Sequence, residues 1–342
     1  MADQLLAARA ALAAEARRPG SGADFTGALM ATVRRVIGFD GYCLLGLDPA
    51  TGLRSSMFSR HGLDGVADRL AYNEKVEVDV NKYVELAAAP RPVGLLGGRR
   101  SSRPHSPRYE EIIRPAGFSS ELRLVLRGQG RLWGALVLFR DTGGRPFDEG
   151  DADAALAIAE PLTRAVRSYP VRPVAARRRP LAPGVVTLDA GNRVTSMSPH
   201  ARDWLDDFRA GGDDEVELED AMRVVHDVGL AARTGRDEAS CLVRTTSGRW
   251  LLVHGEPVEP DSPTIAVVLA PAALGDVLRA ASAWFGLTRR EEQVAGLVAQ
   301  GLSARRMARA LNLSPLTVND HLGVIYRKAG VSGRDELVAR LT

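Results

Sequence analysis

The chain has 342 residues, 45% of them hydrophobic and 25% charged, with a formal net charge of +3. That length calls for two or three domains, and the composition excludes a disordered chain. Only two cysteines, Cys43 and Cys241, are present, which excludes a disulfide framework or a cysteine-rich zinc site and fits a reducing compartment.

The Ala-rich start is broken by Asp3, Gln4, Arg9, Glu15 and Arg17, so it lacks the apolar core of a secretory signal. No apolar run is long enough to span a bilayer. A cytoplasmic protein with no membrane partner is therefore expected. Up to about residue 168 the pattern mixes helices and strands. Asp24 is placed to cap an amphipathic helix to Ile37, with Leu29, Val33 and Ile37 spaced by four. Segments 42–47 and 53–59 read as strands joined by a turn, and 121–126 with 132–139 as a second pair around Gly128-Gln129-Gly130. A helix over 149–166 closes this α+β unit. Segment 170–183, with four prolines and Arg177-Arg178-Arg179, reads as a linker rather than a DNA arm. A second, smaller α+β unit follows over 184–271. Its strands are expected at 185–188, 241–245, 250–254 and 264–269, and its helices at 198–208 and 216–232. A connecting helix over 273–284 leads into the last module.

That module carries the strongest signal. From 285 to 342 there are nine basic residues, Arg289, Arg290, Arg305, Arg306, Arg309, Arg327, Lys328, Arg334 and Arg340, against five acids. The excess of four positive charges leaves the rest of the chain at about −1 and suits a phosphate backbone. Thr288 and Glu291 form a capping box, Ser303 and Ser314 cap two further helices, and Asn312-Leu313-Ser314 is a tight turn between them. Ser332 caps a fourth helix over 333–341. Short capped helices with a three-residue turn between the second and third describe a helix-turn-helix. Leu287-Thr288-x-Arg290-Glu291, Gly301-Leu302-Ser303, Leu313-Ser314-x-x-Thr317-Val318-x-x-His321-Leu322 and Lys328-x-Gly330-Val331, taken in order, resemble the DNA-binding domain of the LuxR family of bacterial regulators.

On a helical wheel Val318, Leu322 and Ile325 face the core of the module, while Leu316, Asp320, Gly323 and Arg327 point most nearly away and Asn319 flanks that face. The resemblance implies that these outward positions read bases. Asn319, where the family often has Lys, pairs naturally with adenine, and Asp320 can accept from cytosine. Leu316 sits at the tip and Gly323 offers no side chain. Thr317 at the helix N-terminus, Arg305 and Arg327 suit phosphates, and Lys328 completes the expected DNA-binding set. His321 reads as a packed residue.

In the front part, Leu132-Trp133-Gly134-Ala135-Leu136-Val137-Leu138, then Pro146-Phe147 and an acidic helix entry, resemble a GAF sensor domain. Leu188-Asp189-Ala190-Gly191-Asn192-Arg193-Val194, then Ser198-Pro199 and Ala201-x-x-Trp204-Leu205, resemble the opening of a PAS-like domain. The expected architecture is therefore multidomain. A GAF-like unit spans 1–168, a linker 169–183, a PAS-like unit 184–271, a connecting helix 272–284 and an all-α four-helix LuxR-type helix-turn-helix domain 285–342. The resemblance implies a transcription regulator that binds double-stranded DNA. One short recognition helix makes few base contacts, so a homodimer is expected, pairing through Leu337, Val338 and Leu341 of the fourth helix, with the front domains as a further place of pairing and packing inside the monomer as the alternative for that stripe. A small-molecule effector and RNA polymerase are the other candidate partners. His61, His105, His200, His226 and His254 lack a paired metal-binding spacing, so no cofactor or metal is expected. Nor is an enzyme: no nucleophile elbow, phosphate loop or His-Glu-x-x-His motif occurs. Two alternatives stay open: a GAF-fold redox enzyme, which would need clustered cysteines, and a regulator controlled by partner proteins without a ligand.

Overall fold

The computed structural model describes residues 2–15, 22–61, 63, 66–97, 105–128, 130–169, 182–208, 214–235, 239–245 and 247–341. The expected linker, with Arg177, Arg178 and Arg179, lies almost wholly outside the described residues, as does Gln129 of the expected turn.

The first module is an antiparallel five-stranded sheet of β1 (Gly41–Leu47), β2 (Arg54–Arg60), β3 (Val93–Gly97), β4 (Phe118–Gly128) and β5 (Arg131–Asp141), in the order β2-β1-β5-β4-β3. Alternation along each strand sends side chains to two faces. Leu44, Leu136 and Leu138 pack with Leu12 of α1 (Ala2–Glu15), Leu29 and Val33 of α2 (Gly22–Val36) and Ile158 and Leu162 of α5 (Glu149–Ser168). Cys43, Leu45, Val137 and Phe139 face the other way, beside α3 (Ala67–Lys75), α4 (Tyr83–Ala88) and a π-helical turn, Tyr109–Ile113. Helix α5 starts on a capping box of Asp148 and Asp151, the acidic entry visible in the sequence. Helix α2 starts at Gly22, so Asp24 lies within its first turn rather than capping it.

Gly134 of the Trp-Gly motif has a local cause. It pairs with Gly46 across β1 and β5, and a Cβ on it would meet the Leu45 carbonyl oxygen at 2.1 Å. The strands approach there too closely for any side chain.

The second module repeats this layout. Strands β6 (Gly184–Leu188), β7 (Val194–Met197), β8 (Ser240–Arg244), β9 (Trp250–Pro257) and β10 (Ile265–Pro271) form an antiparallel sheet ordered β7-β6-β10-β9-β8. Renumbered from its own first strand, that is the order of the first sheet. Helices α6 (Pro199–Phe208) and α7 (Asp214–Arg233) cover the sheet through Trp204, Leu205, Val224 and Val228. The two modules interlock. Leu53 belongs to the core of the second, the Leu242 amide donates to Asp48 Oδ2 at 3.1 Å, and Arg54 Nε meets Asp227 Oδ2 at 3.2 Å.

The last module consists of α8 (Leu274–Phe285), α9 (Arg289–Ala299), α10 (Ala304–Leu311), α11 (Pro315–Ala329) and α12 (Arg334–Leu341). Its core is continuous with Trp133 of the first module and with Leu242 and Trp250 of the second.

A buried ionic cluster underlies the face of the first sheet that carries Cys43 and Phe139. Glu121 is 1% exposed and accepts from Arg108 Nη2 at 2.9 Å and from Arg123 Nε at 3.0 Å. Burial alone would raise its pKa, but the charges of Arg108 and Arg123 hold it below the usual carboxylate range. Replacing Glu121 with Gln leaves two buried guanidinium groups undercompensated. The expected loss is about 3–5 kcal/mol of unfolding free energy in urea titrations; a loss within about 0.5 kcal/mol, typical of a surface substitution, would contradict the buried assignment.

Candidate nucleic-acid interface

The geometry of α10 and α11 follows from their caps. Asn312 adopts the left-handed conformation, φ 56°, and ends α10, while the Leu313 amide donates to the Ala308 carbonyl at 2.8 Å. Ser314 Oγ accepts from the Thr317 amide at 3.0 Å, and Pro315 occupies the first helical position. Asn312-Leu313-Ser314 therefore forms the three-residue turn expected from the sequence.

Along α11 the buried residues are Val318, Leu322, Ile325 and Ala329. Asn319, Asp320, Gly323 and Arg327 are exposed, and Leu316 is 71% exposed. A Cβ built on Gly323 meets nothing within 4 Å, so this face of the helix opens onto free space. Thr317 is half-buried, its hydroxyl 2.8 Å from that of Ser314. His321 is half-buried too. Arg305 on α10 is exposed, and so are its neighbours Arg306 and Arg309, which the sequence reading left out of the candidate set.

Eight of the nine basic residues divide into two groups, and the ninth, Arg289, is exposed at the start of α9. Arg290 Nη2 donates to the Leu311 carbonyl at 2.6 Å, Arg334 Nη2 to the Val298 carbonyl at 3.1 Å, and Arg340 Nη1 to the Ala329 carbonyl at 2.7 Å, close to the C-terminus of α11. Lys328 Nζ lies 2.6 Å from Glu291 Oε2 and 3.0 Å from the Gly286 carbonyl. These four tie the helices to one another. Arg305, Arg306 and Arg309 on α10 and Arg327 on α11 are exposed. Lys328, grouped with Arg327 on sequence, is exposed as well but is engaged with α8 and α9. Its partner Glu291 is 37 positions away, a contact that no local pattern reveals.

The fourth helix also differs from expectation. Leu337 and Leu341 are 0% and 1% exposed, packed in the module's own core, and Val338 is half-buried beside them. The Trp250 indole donates to the Arg340 carbonyl at 3.0 Å. The apolar stripe is satisfied within the chain, because α12 needs a core to bury it and α8, α9 and α11 supply one.

Burial pushes the Glu291 carboxyl up, but the Lys328 ammonium and the Thr288 amide outweigh it and hold the pKa below the usual value. A carboxyl depressed in this way adds stability above the unfolded glutamate pKa of about 4.3, and that contribution is lost as pH falls through the folded value. Glu291→Gln should therefore lower the thermal midpoint near neutral pH, and its deficit against the wild type should shrink as pH drops from about 5 towards 3. A deficit that stays constant over that range would show that the ionised pair contributes nothing.

Two family models match the chain. The GAF domain model covers residues 24–166, and the model for bacterial regulatory proteins of the luxR family covers 286–341. A Mycobacterium tuberculosis H37Rv protein described as an HTH-type transcriptional regulator is 40% identical over 73 residues, 21% of this chain and 8% of that protein. The transcriptional regulatory protein UhpA of Escherichia coli K12 is 46% identical over 55 residues, 16% of this chain and 28% of UhpA. The matches thus span well under a third of either relative. Among solved structures, a domain of a sensor histidine kinase from Sinorhizobium meliloti covers 42% of this chain and 89% of its own, at 20% identity and a TM-score of 0.29.

Proposed function

We propose that this chain, which matches the GAF domain model over residues 24–166 and the luxR-family model over residues 286–341, is a sequence-specific DNA-binding transcription regulator governed by a signal received in its front modules. The observation that carries the reading is the open face of α11, where Asn319, Asp320, Gly323 and Leu316 are exposed on a helix capped and seated by the turn before it. A helix presented in this way fits the major groove. Arg305 and Arg327, with Arg306 and Arg309 beside them, are cations suited to the flanking phosphates. Thr317 is the residue for a phosphate at the helix N-terminus, and Lys328 holds the α8–α9 junction in place behind it.

The domain limits proposed are those of the sequence: 1–168 for the GAF-like module, 184–271 for a PAS-like module and 285–342 for the DNA-binding domain, with 169–183 and 272–284 as connections. The repeated strand order supports the second of these. A non-enzymatic role fits the state of the thiols. Cys43 and Cys241 are both buried, and burial raises the Cys241 pKa well above the usual thiol value, away from a reactive thiolate. No described helix is long and apolar enough to cross a membrane, in keeping with a cytoplasmic protein. A homodimer is proposed on DNA, since one short recognition helix makes few base contacts. The α12 stripe is used inside the chain, so pairing falls to the front modules. RNA polymerase is a natural further partner.

Two measurements test the DNA reading. Affinity for duplex DNA should fall steeply between low and moderate salt, and Arg327→Ala should weaken all sequences alike while reducing the salt slope by about one phosphate contact. An affinity flat in salt would exclude the phosphate role. In binding-site selection, Asn319→Ala should relax preference at one base pair per half-site, a loss of about 1–3 kcal/mol of discrimination. Recovery of an unchanged consensus would remove Asn319 from the base-reading set.

A further inference from the structure

Helix α11 begins with an apolar side chain that the module leaves uncovered. Leu316 is 71% exposed, whereas every other leucine from 274 to 341 is buried or partly buried. The start of the helix is complete without it. Ser314 Oγ accepts from the Thr317 amide, Pro315 fills the first helical position, and Val318 and Leu322 supply the buried side. A lone apolar side chain on a surface is ordinary; the position of this one is not. Leu316 stands three and four residues before Asn319 and Asp320 and seven before Gly323, so the four lie on one side of the helix. Asn319, Asp320 and Gly323 are exposed on that side.

What Leu316 can meet depends on the surface that this side faces. The exposed cations Arg305, Arg306, Arg309 and Arg327 on α10 and α11 suit a polyanion, and a duplex presents phosphates and hydrogen-bonding base edges. The major groove carries one apolar group, the C5-methyl of thymine, which cytosine lacks. A leucine side chain has no donor or acceptor. Against a base edge without that methyl it would strip water from polar atoms and satisfy none of them. Three residues of helix rise about 4.5 Å, near the roughly 3.4 Å step between base pairs. The methyl therefore belongs to a base pair close to the one proposed for Asn319.

We propose that Leu316 determines specificity by packing on the C5-methyl of a pyrimidine in the major groove, one in each half-site. Thymine carries that methyl in ordinary DNA, and 5-methylcytosine carries the same group in methylated DNA, so two bases supply the contact. The inference rests on the reading of α11 as the groove helix and adds the chemical group that its apolar tip selects.

Binding-site selection by the full chain from a random duplex pool, followed by anisotropy titration of the selected duplex, tests this. Each thymine is replaced singly by uracil, which removes only the methyl, and each cytosine singly by 5-methylcytosine, which adds it. With thymine as the source, uracil at one position per half-site should weaken binding about fourfold, the factor for leaving one methyl in water. With 5-methylcytosine as the source, one methylated cytosine per half-site should tighten binding by about the same factor. Leu316→Ala should bind the methylated and unmethylated versions of that position alike and keep the wild-type salt slope, since no phosphate contact is lost. If the wild type is indifferent to the methyl at every position, or if Leu316→Ala keeps the fourfold margin, the proposal is wrong. The wild-type comparison of thymine with uracil and of cytosine with 5-methylcytosine decides the matter even where the variant fails to fold. The two readings fail differently. A selected consensus indifferent to the methyl overturns only the Leu316 contact, whereas the absence of any consensus overturns sequence-specific binding and the contact with it.

Discussion

Three tryptophans and one arginine hold the three modules of this chain together. Trp133 of β5, Trp250 of β9 and Trp284 of α8 share a single buried cluster, and Trp250 stacks on Trp284 with ring centroids 5.0 Å apart. Arg167, in the last turn of α5, donates to the Trp284 and Ala283 carbonyls and lies 4.7 Å over the Trp133 ring. Carbonyls in the last turn of a helix carry partial negative charge, so a cation is favoured there. Burial lowers the Arg167 pKa, a desolvation cost that the two carbonyls and the indole face offset. The sensor module's final helix and the helix that leads into the DNA-binding module are thus joined by a contact that is polar at its centre and aromatic around it.

The placement of the DNA-binding face follows from that joint. Gly286 ends α8 in the left-handed conformation, φ 66°, and Lys328 reaches back from α11 to its carbonyl. With α8 held by Arg167 and Gly286 held by Lys328, α11 is fixed with Asn319, Asp320 and Gly323 towards solvent. The same arrangement uses up α12, whose Arg340 carbonyl receives the Trp250 indole. Trp250 lies on β9, which pairs with β8, and β8 follows α7, the helix whose Asp227 meets Arg54 of β2. A continuous set of packed elements therefore runs from the first sheet, through the second module, to the C-terminal helix. A change in the first module biases the last only if that set has two arrangements of similar energy.

Much of this was legible in the sequence wherever the cause is local. The spacing of Val318, Leu322 and Ile325 fixes which side of α11 is buried, and the caps Thr288, Ser314 and Asp148 mark where helices begin. The Trp133-Gly134 pair marked the central strand of the first sheet. What escaped depends on partners distant in the chain. Trp133 reads as a core residue, but nothing near it says that its core includes Trp284. The sequence does not pair Lys328 with Glu291 because the two lie 37 positions apart, at opposite ends of the run from α9 to α11. Leu337 and Leu341 read as an apolar stripe, and periodicity gives the stripe without its partner, so the sequence reading sets a second chain ahead of the module's own core. Segment 60–117 shows no clean period because its α3, α4, β3 and π-helical turn are short and packed around buried charges such as Arg108 and Asp79. The shared strand order of the two sheets leaves no trace in sequence, since topology constrains connections rather than residue types.

The central claim is that Arg167 and the tryptophan cluster make the three modules one cooperative body that presents α11. Differential scanning calorimetry of the full chain, wild type against Arg167→Met, tests it most directly, since this side chain bonds the Trp284 and Ala283 carbonyls of α8 and lies over Trp133 of β5. The account predicts a single transition for the wild type and, for Arg167→Met, a separate earlier transition for the C-terminal module. Independent transitions already in the wild type, or a variant that melts in one step at the wild-type temperature, would contradict it.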